Sequence, residues 1–204
     1  IVLFLVFFMA MAVFISSPHA QTTSQGMDED IQKAEEYLQN MGTLKADFIQ
    51  TAYNGSRLSG VFYLNRPGKL RFEYNEIKDF VVADGIFIYF YDAELGEQTN
   101  APIGQTLADF LLRSDISLTN DVTVQNIAQE DNMKAITIVE KDDPQSGSVK
   151  LFFTEEPYAL KKWQVTDAAG LTTEILLRDT QRDIKLPASL FKYFKPKQDK
   201  TKYN

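Results

Sequence analysis

Few residues in this chain are equipped for covalent or acid–base chemistry. It has one histidine, His19, and no cysteine. His19 lies just after an apolar N-terminal run, so the rest of the chain lacks imidazole bases, thiol nucleophiles and the usual nitrogen and sulfur ligands of zinc. Serine, lysine and carboxylate chemistry stays open in principle, but no G-x-S-x-G, P-loop or H-E-x-x-H motif occurs. Neither catalysis, a metal site nor a cofactor is expected. The charged stretch that stands out is NRPGKLRFEY at 65–74, where a Pro-Gly turn separates two apolar runs and Arg66 directly precedes the proline. That guanidinium is either a solvated charge at a hairpin tip or a working part of a site on an otherwise apolar sheet.

The elements that would position Arg66 follow from composition and pattern. The chain has 204 residues, 44% hydrophobic and 24% charged, which suits one globular domain with appendages. Residues 1–15 are an unbroken apolar run, followed by SSPHA and polar QTTSQ. This reads as a secretory signal peptide, residues 1–20, with cleavage expected after Ala20 and a leader that starts upstream of Ile1. A span needs roughly 20 apolar residues, so an uncleaved anchor is the lesser reading. Residues 21–204 are then one exported domain with no disulfide to staple it, and its stability rests on a core. Without a cysteine to carry lipid, it is not itself a lipoprotein. The net charge of −7 argues against nucleic acid as a partner. The basic end, 192–202, reads as a solvated tail.

Within the domain, Ile31, Ala34, Leu38 and Met41 recur at helical spacing, with Asp28, Glu29 and Asp30 expected in the first turn and Gly42 after the last. Alternating and aromatic segments follow at 45–53, 57–65, 69–74 and 80–92, broken by Asn54-Gly55, Pro67-Gly68 and Asp84-Gly85. A short strand is possible at 95–100. Ile103, Leu107, Phe110 and Leu111 predict a second amphipathic helix, and five more strands follow up to about 180. About ten or eleven strands joined by tight turns predict an antiparallel meander. Several strands are apolar on both faces: Phe62 and Leu64 oppose Val61 and Tyr63, and Ile88 and Phe90 oppose Tyr89 and Tyr91. The sheet therefore curls either over a filled core or over an apolar cavity with the helices as a lid, and periodicity does not choose between them.

At this point the residues resemble a family, the periplasmic outer-membrane lipoprotein carriers called LolA. The matching features are the first amphipathic helix, Ala46-x-Phe48-x-Gln50, Gly60-Val61, Arg66 to Phe72, Val82-x-Asp84-Gly85 with an aromatic strand after it, the segment 107–112, and Leu190-Phe191 with Pro196. The resemblance implies a mainly β (α+β) fold, an incomplete antiparallel β-barrel of about 10–11 strands closed by a lid of short amphipathic helices around a hydrophobic cavity. It implies a monomeric periplasmic carrier of acylated lipoproteins, loaded by an inner-membrane ATP-driven release complex and unloaded at an outer-membrane acceptor or the outer membrane itself. It gives Arg66 the role of holding the lid closed. It places Phe48, Phe62, Leu70, Phe72, Val81, Tyr89, Phe110 and Leu111 around the acyl chains. Lys69, Arg71 and Glu73 are expected at the surface. The alternative is a sensory or protein-interaction domain of the same half-barrel that binds a hydrophobic ligand or peptide.

Overall fold

The computed structural model describes residues 24–196 apart from 106 and 121, so the expected signal peptide at 1–20 and the end of the basic tail lie outside the described residues. The chain opens on helix α1, Ser24–Gln39. It starts earlier than its apolar spacing suggests, so Asp28 to Asp30 fall in its second turn and its first turn carries no acid. Gly42, at φ +58°, reverses the chain into the sheet.

Eleven antiparallel strands follow: β1 Thr43–Thr51, β2 Arg57–Asn65, β3 Lys69–Tyr74, β4 Phe80–Asp84, β5 Phe87–Asp92, β6 Glu97–Pro102, β7 Val122–Glu130, β8 Met133–Glu140, β9 Gly147–Glu155, β10 Tyr158–Asp167 and β11 Thr172–Arg182. Their order is β6-β5-β4-β3-β2-β1-β11-β10-β9-β8-β7. Two hairpin-linked arms thus meet where β1 pairs with β11, Phe48 opposite Leu177 and Gln50 opposite Ile175. The sheet is open, because β6 and β7 are its two ends. Gly60 faces Phe48 across β1 and β2. A Cβ there would lie 1.9 Å from the Glu73 carbonyl oxygen and 2.8 Å from Phe48 Cε1, so only glycine fits.

The expected lid of several amphipathic helices is not what forms. Among the described residues there is one α-helix, and Leu107–Leu112 winds only as a 3-10 turn. Six residues are too few to offset the cost of nucleating an α-helix, and a 3-10 turn suits a short connector between sheet edges. The inner face of the sheet holds the main core, including Leu44, Phe62, Ile136, Ile138, Leu151 and Phe153, with Ala34 and Leu38 of α1 and Phe110 to Leu112 packed into it. Tyr37 meets Phe153 edge-on with centroids 5.8 Å apart. Lys134 on β8 pairs with Asp30 at 2.8 Å. The helix therefore sits over the β8–β10 arm.

The outer face of the other arm has its own cover, which explains its second apolar row. The segment after β11 turns at Ala188–Phe191 and buries Phe191 almost fully, while Val82 on β4 is wholly buried. Tyr193 stacks on Tyr89 at 4.9 Å and Phe80 on Tyr91 at 5.0 Å. Arg71 is not the free surface charge its position suggests. It pairs with Glu73 at 2.6 Å, lies 4.9 Å from the Phe80 ring centroid and donates to the Leu190 carbonyl.

Candidate functional site

The β2–β3 turn brings Arg66 to the C-terminal end of α1. Nη1 donates to the Leu38 carbonyl and Nη2 to the Arg113 carbonyl at 2.6 Å. The last carbonyls of a helix have no partner within it, and α1 has no basic residue in its last turn. Arg66 supplies one from the sheet. Arg182 supplies another, donating to the Asn40 carbonyl at 2.8 Å and lying 4.8 Å from the Tyr37 ring centroid. Nothing local in the sequence marks Arg182 for that role, since its acceptor is 142 residues away. The Arg66 backbone N–H also reaches the Gly42 carbonyl at 3.0 Å, and the Gly68 N–H reaches the Leu112 carbonyl at 2.9 Å. Gly68 has φ +78°, and a Cβ on it would come within 2.9 Å of Gly85 Cα.

This turn therefore clasps three things at once: its own arm, the end of α1 and the end of the 107–112 turn. Arg113 extends the chain of contacts, because its side chain pairs with Glu140 on β8 at 2.9 Å. The two arms of the open sheet are tied across their gap through these groups. Burial pushes the Arg66 guanidinium below its ordinary pKa, while the Asp115 carboxylate works in the opposite direction. Its Nε is buried without a protein hydrogen-bond partner, although the side chain as a whole is only half-buried.

The sheet also forms an apolar pocket of about 240 Å³, with Leu70 and Leu111, near Arg66 and Arg113 in the chain, in its wall. Phe62, Leu70, Phe72, Val81 and Leu111 line it together, five of the eight residues expected around acyl chains. The other three lie elsewhere. Phe48 is buried beside the pocket, edge-on to Phe72 at 5.1 Å. Phe110 is buried in the core and lies under the Arg113 guanidinium. Tyr89 stands on the outer face, stacked on Tyr193 and donating to the Asp84 carboxylate at 3.1 Å. Inner and outer rows of β5 are equally apolar, so its sequence does not say which one turns inward.

The remaining walls are Gln50, Tyr74, Ile88, Phe90, Ala101, Trp163, Val165 and Ile175. Tyr74 donates to Gln50 Oε1 at 3.0 Å, the one side-chain hydrogen bond between wall residues. Burial, with a further contribution from Asp79, raises the Tyr74 phenol to about 12. The pocket thus offers apolar surface, one neutral polar pair and no charged side chain in its wall.

The sequence profile described as "Outer membrane lipoprotein carrier protein LolA" matches residues 39–194. This chain belongs to the LolA family. Among the relatives, a protein named outer-membrane lipoprotein carrier protein from Dechloromonas aromatica is 31% identical over 178 residues, covering 81% of this chain and 84% of the relative. One of the same name from Methylococcus capsulatus is 28% identical over 186 residues, covering 87% and 86%. A solved LolA superfamily protein from Nitrosomonas europaea aligns over 80% of this chain and 97% of its own with 9% identity and a TM-score of 0.45, too slight a likeness to bear on function.

In this LolA-family chain, three of the eight walls that sequence reasoning missed come from the far arm. Trp163, Val165 and Ile175 sit on inward positions of β10 and β11, and Trp163 pairs with Ile175. Their alternation marks them as inward-facing. Their arrival beside Phe62, which lies 5.7 Å from Trp163 between ring centroids, depends on the pairing of β1 with β11. Among the described residues no helix is long and apolar enough to cross a membrane.

Proposed function

We propose that residues 21–204 form a single-domain, monomeric periplasmic carrier that shields the acyl chains of lipoproteins. It takes them from an inner-membrane ATP-driven release complex and gives them up at an outer-membrane acceptor or at the outer membrane. Family membership supports the class of cargo. The observation that carries the mechanism is the fork of Arg66 on the Leu38 and Arg113 carbonyls, close in the chain to Leu70 and Leu111 of the pocket wall.

In this reading the empty protein is held shut by a few bonds that each contribute about 1 kcal/mol net. Every methylene that enters contributes about 0.8 kcal/mol by leaving water, so one long chain outweighs the clasp. Helix α1 is anchored independently by Arg182 and by the Lys134–Asp30 pair. The part that yields is therefore the 107–112 turn, tied to the sheet tip through the Gly68 N–H. Affinity stays moderate because closing the clasp again offsets part of the cost of release.

The test is mass spectrometry of material that co-purifies, without detergent, with the protein expressed in a bacterial envelope. Acylated peptides near one per protein are expected, and Arg66→Leu should load cargo but release it poorly. Recovery of unacylated peptide would favour the interaction-domain reading instead, and unimpaired release from Arg66→Leu would remove the clasp from the mechanism.

A further inference from the structure

The 240 Å³ pocket is too small for the chain it is read to hold. At about 30 Å³ for a group the size of a water molecule, it takes about eight methylenes. A second apolar space of about 440 Å³ adjoins it on the β3–β6 side. The two share the walls Gln50, Tyr74, Val81 and Phe90. The second space is a groove whose lining also includes Leu58, Ile77 and Leu95. Three of its apolar side chains are unusually exposed: Ile77 at 37%, Phe90 at 46% and Leu95 at 68%. Scattered exposed hydrophobics need no explanation, but several converging on one groove continuous with an interior pocket do.

We propose that this groove is a second acyl subsite, which takes the part of a long chain that the inner pocket cannot hold. The proposal rests on the carrier reading above. Its occupant is the polymethylene of an ester- or amide-linked acyl chain, which crosses from pocket to groove past the Gln50–Tyr74 pair. At the same scale the groove accepts about fifteen further methylene-sized groups, so pocket and groove together have room for one long chain.

The rim sets the class of chain. Asp79, Asp92 and Glu97 border the groove. Two of these carboxylates are fixed by backbone amides, Asp79 by the Ala93 N–H and Asp92 by the Leu95 N–H, at 2.9 and 2.8 Å. No lysine or arginine is among the groove walls. A free fatty-acid carboxylate entering there meets only like charge, whereas a neutral ester does not.

The test measures binding of 1-acylglycerols of 8 to 16 carbons, each below its aggregation concentration, to the full-length protein and to Leu95→Asp and Ile77→Asp. Both altered side chains are exposed and lie in the groove only, so folding is spared. Wild-type affinity should keep rising past eight carbons, up to fourfold for each methylene that becomes fully buried, while both variants level off near eight. Palmitate should bind less tightly than its glycerol ester. A wild-type plateau at eight carbons, or variants that follow the wild type to sixteen, would overturn the groove and leave the carrier reading standing. Palmitate binding equal to the ester would overturn the role given to the rim. Failure to bind any chain length would overturn the carrier reading itself.

Discussion

Replacing Arg66 by leucine removes both side-chain bonds of the clasp while keeping an apolar stem of similar length. The Leu38 carbonyl keeps only the longer bond from the Met41 N–H at 3.3 Å, and the Arg113 carbonyl loses the Arg66 donor. At about 1 kcal/mol for each bond, the closed arrangement loses about 2 kcal/mol against the open one, about a 30-fold shift. Lysine retains the charge but not the fork, and from this position it can serve one carbonyl. Arg66→Lys should therefore cost about 1 kcal/mol, about a fivefold shift. The reporter is built in, because the Gly68 N–H donates to the Leu112 carbonyl and is released only when the 107–112 turn lifts. Amide hydrogen exchange should show Gly68 protection falling about 30-fold in Arg66→Leu and about fivefold in Arg66→Lys, with amides of the β1–β11 pairing unchanged. Equal protection of Gly68 in the leucine variant would refute the clasp. A loss spread evenly over the β1–β11 amides would instead show that Arg66 supports the whole fold and does not specifically hold the turn.

Three further outcomes follow from the geometry. Gly60→Ala sets a methyl into the Glu73 carbonyl and Phe48, so it should cost about 2 kcal/mol or more, read from the urea midpoint. Phe191→Ala empties the cover of the outer face, with an expected loss of about 3 kcal/mol, and should expose Tyr193 to quenchers. Tyr74, raised to about 12 in the fold, ionises near 10 when unfolded. Between those values the unfolded chain has already lost the proton that the fold retains, so stability is full below pH 10 and falls as pH rises toward 12. Against Tyr74→Phe, the wild type should lose about 2 kcal/mol more across that window in urea titrations.

The strand count and the tip of the β2–β3 hairpin were legible because alternation and turn chemistry are local. Arg66 was legible as a candidate from its place before the Pro-Gly turn, but its role came only through the resemblance to a family, since its acceptors are 28 and 47 residues away. The segment from Ile103 to Leu112 has the spacing of a helix, yet six residues between sheet edges wind as a 3-10 turn. Tyr89 illustrates a different limit. Phe87, Tyr89 and Tyr91 are as apolar as Ile88 and Phe90, and the choice of face is made by Tyr193 and Phe191 more than ninety residues later in the chain. Arg71 escaped for the same reason, because its acceptor Leu190 belongs to that late segment. The far walls of the pocket alternate clearly, but their place in the site depends on a pairing no local pattern announces.

That pairing also governs the order in which the protein can assemble. The strands within each arm are hairpin neighbours and close short loops, but the seam joins the first strand, Thr43–Thr51, to the last, Thr172–Arg182. Contacts of such sequence separation carry the largest loop-closure entropy and form late. A chain emerging through a membrane from its N-terminus can zip β1 to β6 as it appears, yet it must hold the pocket's two sides apart until almost the last strand is through. During that interval Phe62, Leu70 and Phe72 have no opposite wall, and the unfinished protein presents to its surroundings the same apolar face that, once complete, it turns inward.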